Sequence, residues 1–261
     1  MSFTGKSPAN TYKDITYVNN NNSGVTTTVK RIKTGEGSDT STLISDRHLK
    51  VYPSTDNTQA FRVVSASNAN QFNVDTTNNL VTALGSNVNT NYANFGIASS
   101  MASAFVVNTH HVLGFNNHQS TTISDNMTLG TSTDPATSFT TADGATTDAS
   151  LVVPVLWFVQ DNMTIDSVVS LEGCDNATGG TTRMHLMSYD FTSGSTSCLT
   201  NGTLLAHNDD VTNAGSEQVY QGDWTVDSAD VGGDKVIIAT FLTTDVTGDY
   251  SVSVNVKYHL R

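Results

Sequence analysis

The residues with the strongest chemical potential are few, and each has a plain structural reading beside the functional one. His110, His111 and His118 form the most metal-like group. A histidine site needs imidazoles converging on one point and outer partners to orient them. Adjacent residues of a strand point to opposite faces, so His110 and His111 converge only across a bulge. Histidines at the surface or at a subunit contact are the alternative. Carboxylates gather at Asp175, Asp209-Asp210, Asp227 with Asp230, and Asp245 with Asp249. Calcium takes several oxygens around one tight turn, and none of these segments fits the D-x-[DN]-x-[DN]-G loop. Glycan cleavage uses paired carboxylates, but with 24 acidic residues in the chain no pair stands out. The sequence has no GxSxG, no HExxH, no glycine-rich phosphate loop and no Ser/His/Asp set. The expectation is a protein that is not an enzyme and uses no cofactor, with the three histidines as metal candidates and a low-affinity calcium site at the acidic loops as an alternative to turn-forming carboxylates.

Five aromatic residues are candidates for binding. Trp224, in Gly222-Asp-Trp-Thr-Val226, is flanked by polar turn residues and suits a receptor or glycan platform, with core packing as the competing role. Tyr12, Tyr17, Tyr92 and Phe95 are candidate anchors of a subunit interface, against an ordinary intramolecular core. Trp157 lies in the apolar run Leu151–Val159, where burial is the direct reading.

The chain that must position these residues has 261 residues, of which 37 % are hydrophobic and only 14 % charged. Thr, Asn, Ser, Asp and Gly fill most of the rest. Thr suits a half-solvated strand, while Asn, Asp, Ser and Gly supply turns and caps. The residues that build helix surfaces are scarce. The net charge of −12 is uneven. Residues 1–82 hold 8 of the 12 basic and 6 of the 24 acidic side chains, leaving −14 on residues 83–261. An acidic surface of that size repels phosphate backbones, so nucleic acid is not an expected partner. Leu151–Val159, the longest apolar run, is too short for a bilayer, and membrane insertion is not expected either. Met1-Ser-Phe-Thr-Gly-Lys leads into polar sequence without a secretory h-region. Cys174 and Cys198 are expected to stay thiols.

Turn clusters divide the chain into short strands. In the first third these are Thr11–Val18, Val25–Lys33, Ser41–Ser45, His48–Tyr52, Ala60–Ser65, Gln71–Asp75 and Leu80–Leu84. Large apolar residues are sparse there, so the region is marginal alone and oligomerisation is its natural remedy. Later strands are expected at Ala104–His111, Leu151–Val159, Ile165–Leu171, Met184–Phe191, Gln218–Val226, Lys235–Leu242 and Tyr250–Leu260. The last is the clearest: Tyr250, Val252, Val254, Val256, Tyr258 and Leu260 alternate with polar residues. The expected fold is all-β: a small β attachment or shaft region over 1–84, a connector over 85–120, and an antiparallel, jelly-roll-like β-sandwich over 121–261. The connector holds the only segment with helical texture, Ile97–Ala104.

Three stretches carry a family resemblance. Gly5-Lys-Ser-Pro-Ala-Asn-Thr-Tyr-Lys-Asp14 with its Asn-rich turn, and Phe61-Arg-Val63 … Phe72-Asn-Val-Asp-Thr76 … Leu80-Val81, resemble attachment and shaft segments of bacteriophage tail-fibre proteins. Asp161-Asn-Met-Thr-Ile-Asp166 through Val256-Lys-Tyr-His-Leu-Arg261 is similar to a terminal domain of marine-phage structural proteins. The resemblance implies a virion protein, assembled in the host cytoplasm as a homotrimer. Its N-terminal part would attach to other tail or capsid proteins and its C-terminal domain would reach a host-surface glycan or receptor. A capsid decoration or head-fibre protein is the alternative, and a glycan-degrading tailspike a third. The resemblance supplies no catalytic residue.

Overall fold

The structure is a computed structural model that describes residues 16–21, 23–97, 106–116, 127–142, 147–175, 178–245 and 248–261. It is almost entirely β-strand, and the chain divides into two compact units, residues 1–88 and 89–261. Among the described residues no helix is long and apolar enough to cross a membrane.

The first unit contains two four-stranded antiparallel sheets. One has the order β1 (Thr16–Val18), β2 (Lys30–Thr34), β3 (Asp39–Ile44), β4 (Leu49–Val51). The other runs β5 (Phe61–Val64), β6 (Asn70–Asp75), β7 (Leu80–Ala83), β8 (Ser86–Asn87). The abundance of Asn and Asp has a local cause here. Asp75 Oδ1 accepts from the amides of Thr77 (2.9 Å) and Asn78 (3.0 Å). Asn79 then takes the left-handed conformation that closes the β6–β7 hairpin, as Asn68 does between β5 and β6. Packing is the weak point. Ser45 is the one buried residue described in this unit, while Tyr17, Leu49, Tyr52, Phe61, Val63 and Leu84 are all exposed.

The second unit is built from two larger antiparallel sheets. Its strands are β9 (Thr90–Ile97), β10 (His111–Val112), β11 (Gly114–Phe115), β12 (Trp157–Val159), β13 (Met163–Asp175), β14 (Thr181–Phe191) and β15 (Leu199–His207). They continue with β16 (Val211–Thr212), β17 (Glu217–Asp223), β18 (Thr225–Val226), β19 (Asp230–Val231), β20 (Lys235–Thr243) and β21 (Asp249–Leu260). The six-stranded sheet has the order β11-β9-β21-β13-β17, with β19 beside β13. The seven-stranded sheet runs β10-β20-β14-β15-β18, with β12 beside β20 and β16 beside β14. Both sheets contribute to one buried cluster: Phe95, Val252, Val254 and Val256 from the first, Met184, Leu186, Ile237 and Phe241 from the second. A second cluster lies on the other face of the seven-stranded sheet. There Met187, Tyr189, Val236 and Ile238 are covered by Met127, Leu129, Phe139 and Val155. A sheet buried on both sides loses its alternation, which is why β20 reads as the run Val-Ile-Ile-Ala-Thr-Phe-Leu.

Several expected elements differ. Leu151–Val159 is not a strand: it divides into a short helix α1 (Ala149–Val152), a 3₁₀ turn (Val153–Val155) and β12. The Asp148 carboxylate caps the helix by accepting from the Ser150 amide at 2.9 Å, and Pro154 fits the first turn that follows. A short apolar run cannot by itself distinguish strand from buried helix. Among the described residues of Ala104–His111 only His111 is strand, in β10; residues 104 and 105 lie outside the described residues, as does all but Ile97 of the segment expected to be helical. The stretch 85–120 is not simply a connector, because β9 is an internal strand of the six-stranded sheet. Cys174 and Cys198 are free thiols in different clusters.

Phe95 and Tyr92 sit three residues apart on β9 with opposite fates, fully buried and 71 % exposed. Phe95→Ala is expected to cost about 3–5 kcal/mol and Tyr92→Ala less than about 0.5 kcal/mol, read as shifts in urea midpoint at unchanged slope.

Candidate functional site

The structure separates the residues expected to act together. Trp224 is only 7 % exposed, and its indole N–H donates to Ser170 Oγ at 2.9 Å inside the main core. A receptor platform needs an open ring face, so the platform role of Trp224 is corrected to core packing. Phe95 is likewise core, not an interface anchor. Tyr17 and Tyr92 are exposed, the first on β1 and the second on β9. Tyr12 and His118 lie outside the described residues.

His110 and His111 are both buried and do not converge. His110 pairs through Nε2 with the Ser132 carbonyl at 2.9 Å, while His111 Nε2 lies 3.0 Å from the Val106 amide. His110 instead meets His185, edge to face, with ring centroids 5.0 Å apart. His185 in turn stacks on His207 at 6.4 Å, and His207 Nδ1 is 2.7 Å from Asp227 Oδ2. Among the described residues no group of three His, Cys, Asp or Glu side chains is arranged to hold a metal. Burial, reinforced by the neighbouring His110, pushes the His185 imidazole down to about 4.

The opposite shift occurs at Glu172, on the inner face of β13. Burial raises its carboxyl to about 7, partly offset by the Thr182 hydroxyl, which donates to both carboxylate oxygens at 2.9 and 2.8 Å. Nearby, Arg183 forms a two-pronged pair with Asp210, its Nε and Nη2 lying 2.6 and 2.5 Å from the carboxylate oxygens.

Among the described residues three surfaces can receive a ligand, one of them a cavity of about 370 Å³ lined by Asn108, Ser132, Thr133, Thr181, Arg183 and Asp210. The outer face of the six-stranded sheet stays open and carries Leu171, Ser251, Asn255 and Val219, the last 78 % exposed. An open depression of about 580 Å³ lies there over Gly173, whose missing side chain leaves room beside Ser251. Asp175 pairs in register with Glu217 on one side and Asp249 on the other, so three carboxylates share this rim. The third is a smaller cavity of about 210 Å³ lined by Trp157, Phe158, Gln160, Asp161, Tyr258 and Leu260. Sequence reasoning assigned Trp157 to the core and passed over the rest. The available signal was an aromatic pair, Trp157-Phe158, followed within two residues by Gln160-Asp161.

No family model and no curated protein matches this chain. On that finding the description brought by the phage resemblance (viral protein, virion, tail fibre, capsid decoration, structural protein) is corrected. Gly5–Asp14, one of the motifs behind it, lies outside the described residues; another is a short strand-and-turn pattern. Phe61-Arg-Val63 and Phe72-Asn-Val74 form a hairpin, with Phe61 opposite Val74 and Val63 opposite Phe72, a pattern any amphipathic hairpin can share.

Glu172→Gln keeps the side-chain volume and a hydrogen-bond partner for Thr182 while removing the buried charge. With the folded carboxyl near 7 against an ordinary value of 4.5, the stability contributed by protonated Glu172 is full below pH 4.5 and is lost as pH rises through 7. The variant is therefore expected to match the native protein at pH 4.5 and to exceed it by up to roughly 3 kcal/mol at pH 8, by urea denaturation. His185 acts in the other direction, its contribution falling as pH drops from 6.5 towards 4.

Proposed function

We propose that this chain is a multivalent binding protein and not an enzyme. In this reading the first unit gathers copies of the chain, and the second presents binding surfaces to a partner outside the assembly. The observation that carries it is the absence of a buried large apolar side chain among the described residues of the first unit. Eight short strands held by hairpin ladders, a Lys33–Asp39 ion pair at 2.9 Å and the Lys50 ammonium 4.6 Å from the Tyr52 ring are surface-type interactions, each worth little. A second and third copy would supply the missing interior, with Phe61 and Val63 on one face of β5 and Tyr17 on β1 as contact residues.

The second unit we take to be a two-sheet sandwich wound as a jelly roll. Counting β9, β10, β13, β14, β15, β17, β20 and β21 as first to eighth, the sheet orders are first-eighth-third-sixth and second-seventh-fourth-fifth. That order, all antiparallel and with one core between the sheets, supports the jelly-roll winding. Repeating a modest site around a symmetric assembly raises avidity by orders of magnitude without any new contact.

Sedimentation equilibrium of the full chain is expected to give three times the 27.7 kDa chain mass. The double variant Phe61→Ser, Val63→Ser is expected to fall to the single-chain mass. A native protein that is a monomer at micromolar concentration overturns the assembly.

A further inference from the structure

We propose that the histidine pair His110–His185 is an acid-released latch: once protonated, it frees the segment Met127–Pro135 from the outer face of the seven-stranded sheet. The latch is independent of the assembly proposed above.

The segment is fastened at two places of different chemistry. The first is His110, whose amide donates to the Gly130 carbonyl at 2.9 Å and whose carbonyl accepts from the Leu129 amide at 2.8 Å. The rings face the same loop: His110 Nε2 is 2.9 Å from the Ser132 carbonyl, and His185 Nε2 is 3.5 Å from Asp134 Oδ1. From Ala136 onward the fastenings involve no histidine. The Tyr189 hydroxyl donates to the Ala136 carbonyl at 2.8 Å. The Gly202 amide donates to the Thr137 carbonyl at 2.8 Å, and the Phe139 amide to the Leu199 carbonyl at 3.0 Å. The first joint can therefore open while the second holds, with Ala136 as the pivot. Met127 and Leu129, which share a cluster with Met187, Tyr189 and Ile238, move with it.

The pair tolerates charge poorly. A carbonyl only accepts, so the neutral His110 ring carries its proton on Nε2 and leaves Nδ1 bare. The two residues are 0 and 2 % exposed, and Nδ1 of each is buried without a protein partner. An added proton turns that nitrogen into a buried donor with no protein acceptor to meet it. The rings meet edge to face with centroids 5.0 Å apart, so two protons also bring like charges together in a low-dielectric interior.

The surroundings give little relief. Arg183 on β14 adds positive charge, and its partner Asp210 is held in the two-pronged pair. His207 on β15 stacks on His185 and lies 2.7 Å from Asp227. β20 places the uncharged Thr240 opposite His185, and β10 turns His111 towards Val106. On the segment itself stands Asp134, whose side chain is 62 % exposed and so screened by solvent. Burial, with His110 beside it, holds His185 at about 4, and burial also lowers His110. In the open segment both return towards the ordinary 6.5, so closure is fully favoured above pH 6.5 and weakens as pH falls towards 4. His185 alone makes opening about 60-fold more favourable at pH 4.5 than at pH 7.

The test is amide hydrogen exchange on the full chain from pH 7 to 4.5, corrected for the pH dependence of unstructured amides. Protection of the His110 and Leu129 amides is expected to fall at least about 30-fold, and that of Phe139 and Val256 less than about threefold. The double variant His110→Gln, His185→Gln is expected to hold the fall at Leu129 below about threefold. If that variant does not fold, Asp134→Asn decides, because losing the carboxylate that faces His185 is expected to raise opening at pH 5 at least about twofold. Unchanged protection at Leu129 overturns the latch, as does a loss spread evenly over both sheets. Native pH dependence in the folded double variant overturns it too, and in the absence of that variant so does unchanged opening in Asp134→Asn.

Discussion

The second unit depends on the ladder that β21 makes with strands on both sides. Its twelve residues pair with β13 from Leu260 to Asp249 and with β9 from His259 to Val252. One side of β21 presents Tyr250, Val252, Val254 and Val256 to the common core; the other presents Ser251, Ser253 and Asn255 to the open face. A shift of one residue would exchange the two sides. The single irregularity, between Ile165 and Ser167 of β13, places Asp166 beside His259, whose Nδ1 is 2.9 Å from Asp166 Oδ1. The strand also carries Tyr258 and Leu260, which line one side of the Trp157 cavity.

The two sheets are used differently. The seven-stranded sheet is covered on both faces, one by the six-stranded sheet and one by the segment around Met127, Leu129 and Phe139. Its outer cover also traps polar groups: His110, His185 and Thr240 are buried, and His110 Nδ1, His185 Nδ1 and Thr240 Oγ1 have no protein partner. Buried polar atoms in that state are ordinarily satisfied by internal solvent. The six-stranded sheet buries one face, and its other face carries exposed residues such as Leu171 and Val219.

The sequence revealed what strict periodicity could reveal. The alternation in Tyr250–Leu260 identified β21 and its buried side, although Leu260 at its end is exposed. The all-β class followed from turn chemistry, and the Asn and Asp residues at hairpin ends supply it. What stayed hidden has physical causes. β15 was missed because Asn201-Gly202 has the signature of a turn. In the fold it is an irregularity within a strand, with Asn201 left-handed and Gly202 needed because a side chain would come within 2.7 Å of Thr137 Cα and Tyr189 Cε1. β9 was hidden because Asn91, Asn94 and Gly96 interrupt its apolar pattern. Of the five aromatic candidates, Trp224 and Phe95 take the core role that stood beside the binding one; the polar residues flanking Trp224 said nothing about which face its ring takes. The Trp157 cavity joins residues 157–161 to residues 258–260, a proximity created by contact between side chains of two different sheets.

The row formed by Asp175, Glu217 and Asp249 has a consequence for the mechanics of the sheet. Like charges opposed across neighbouring strands repel, and the repulsion reaches further when few ions screen it, about 30 Å at 0.01 M salt against 10 Å at 0.1 M. This end of β13, β17 and β21 is therefore where fraying begins in dilute buffer, with backbone amides there exchanging before those near Val168 and Val256. Added salt, even without binding anywhere, tightens that corner like a drawn seam.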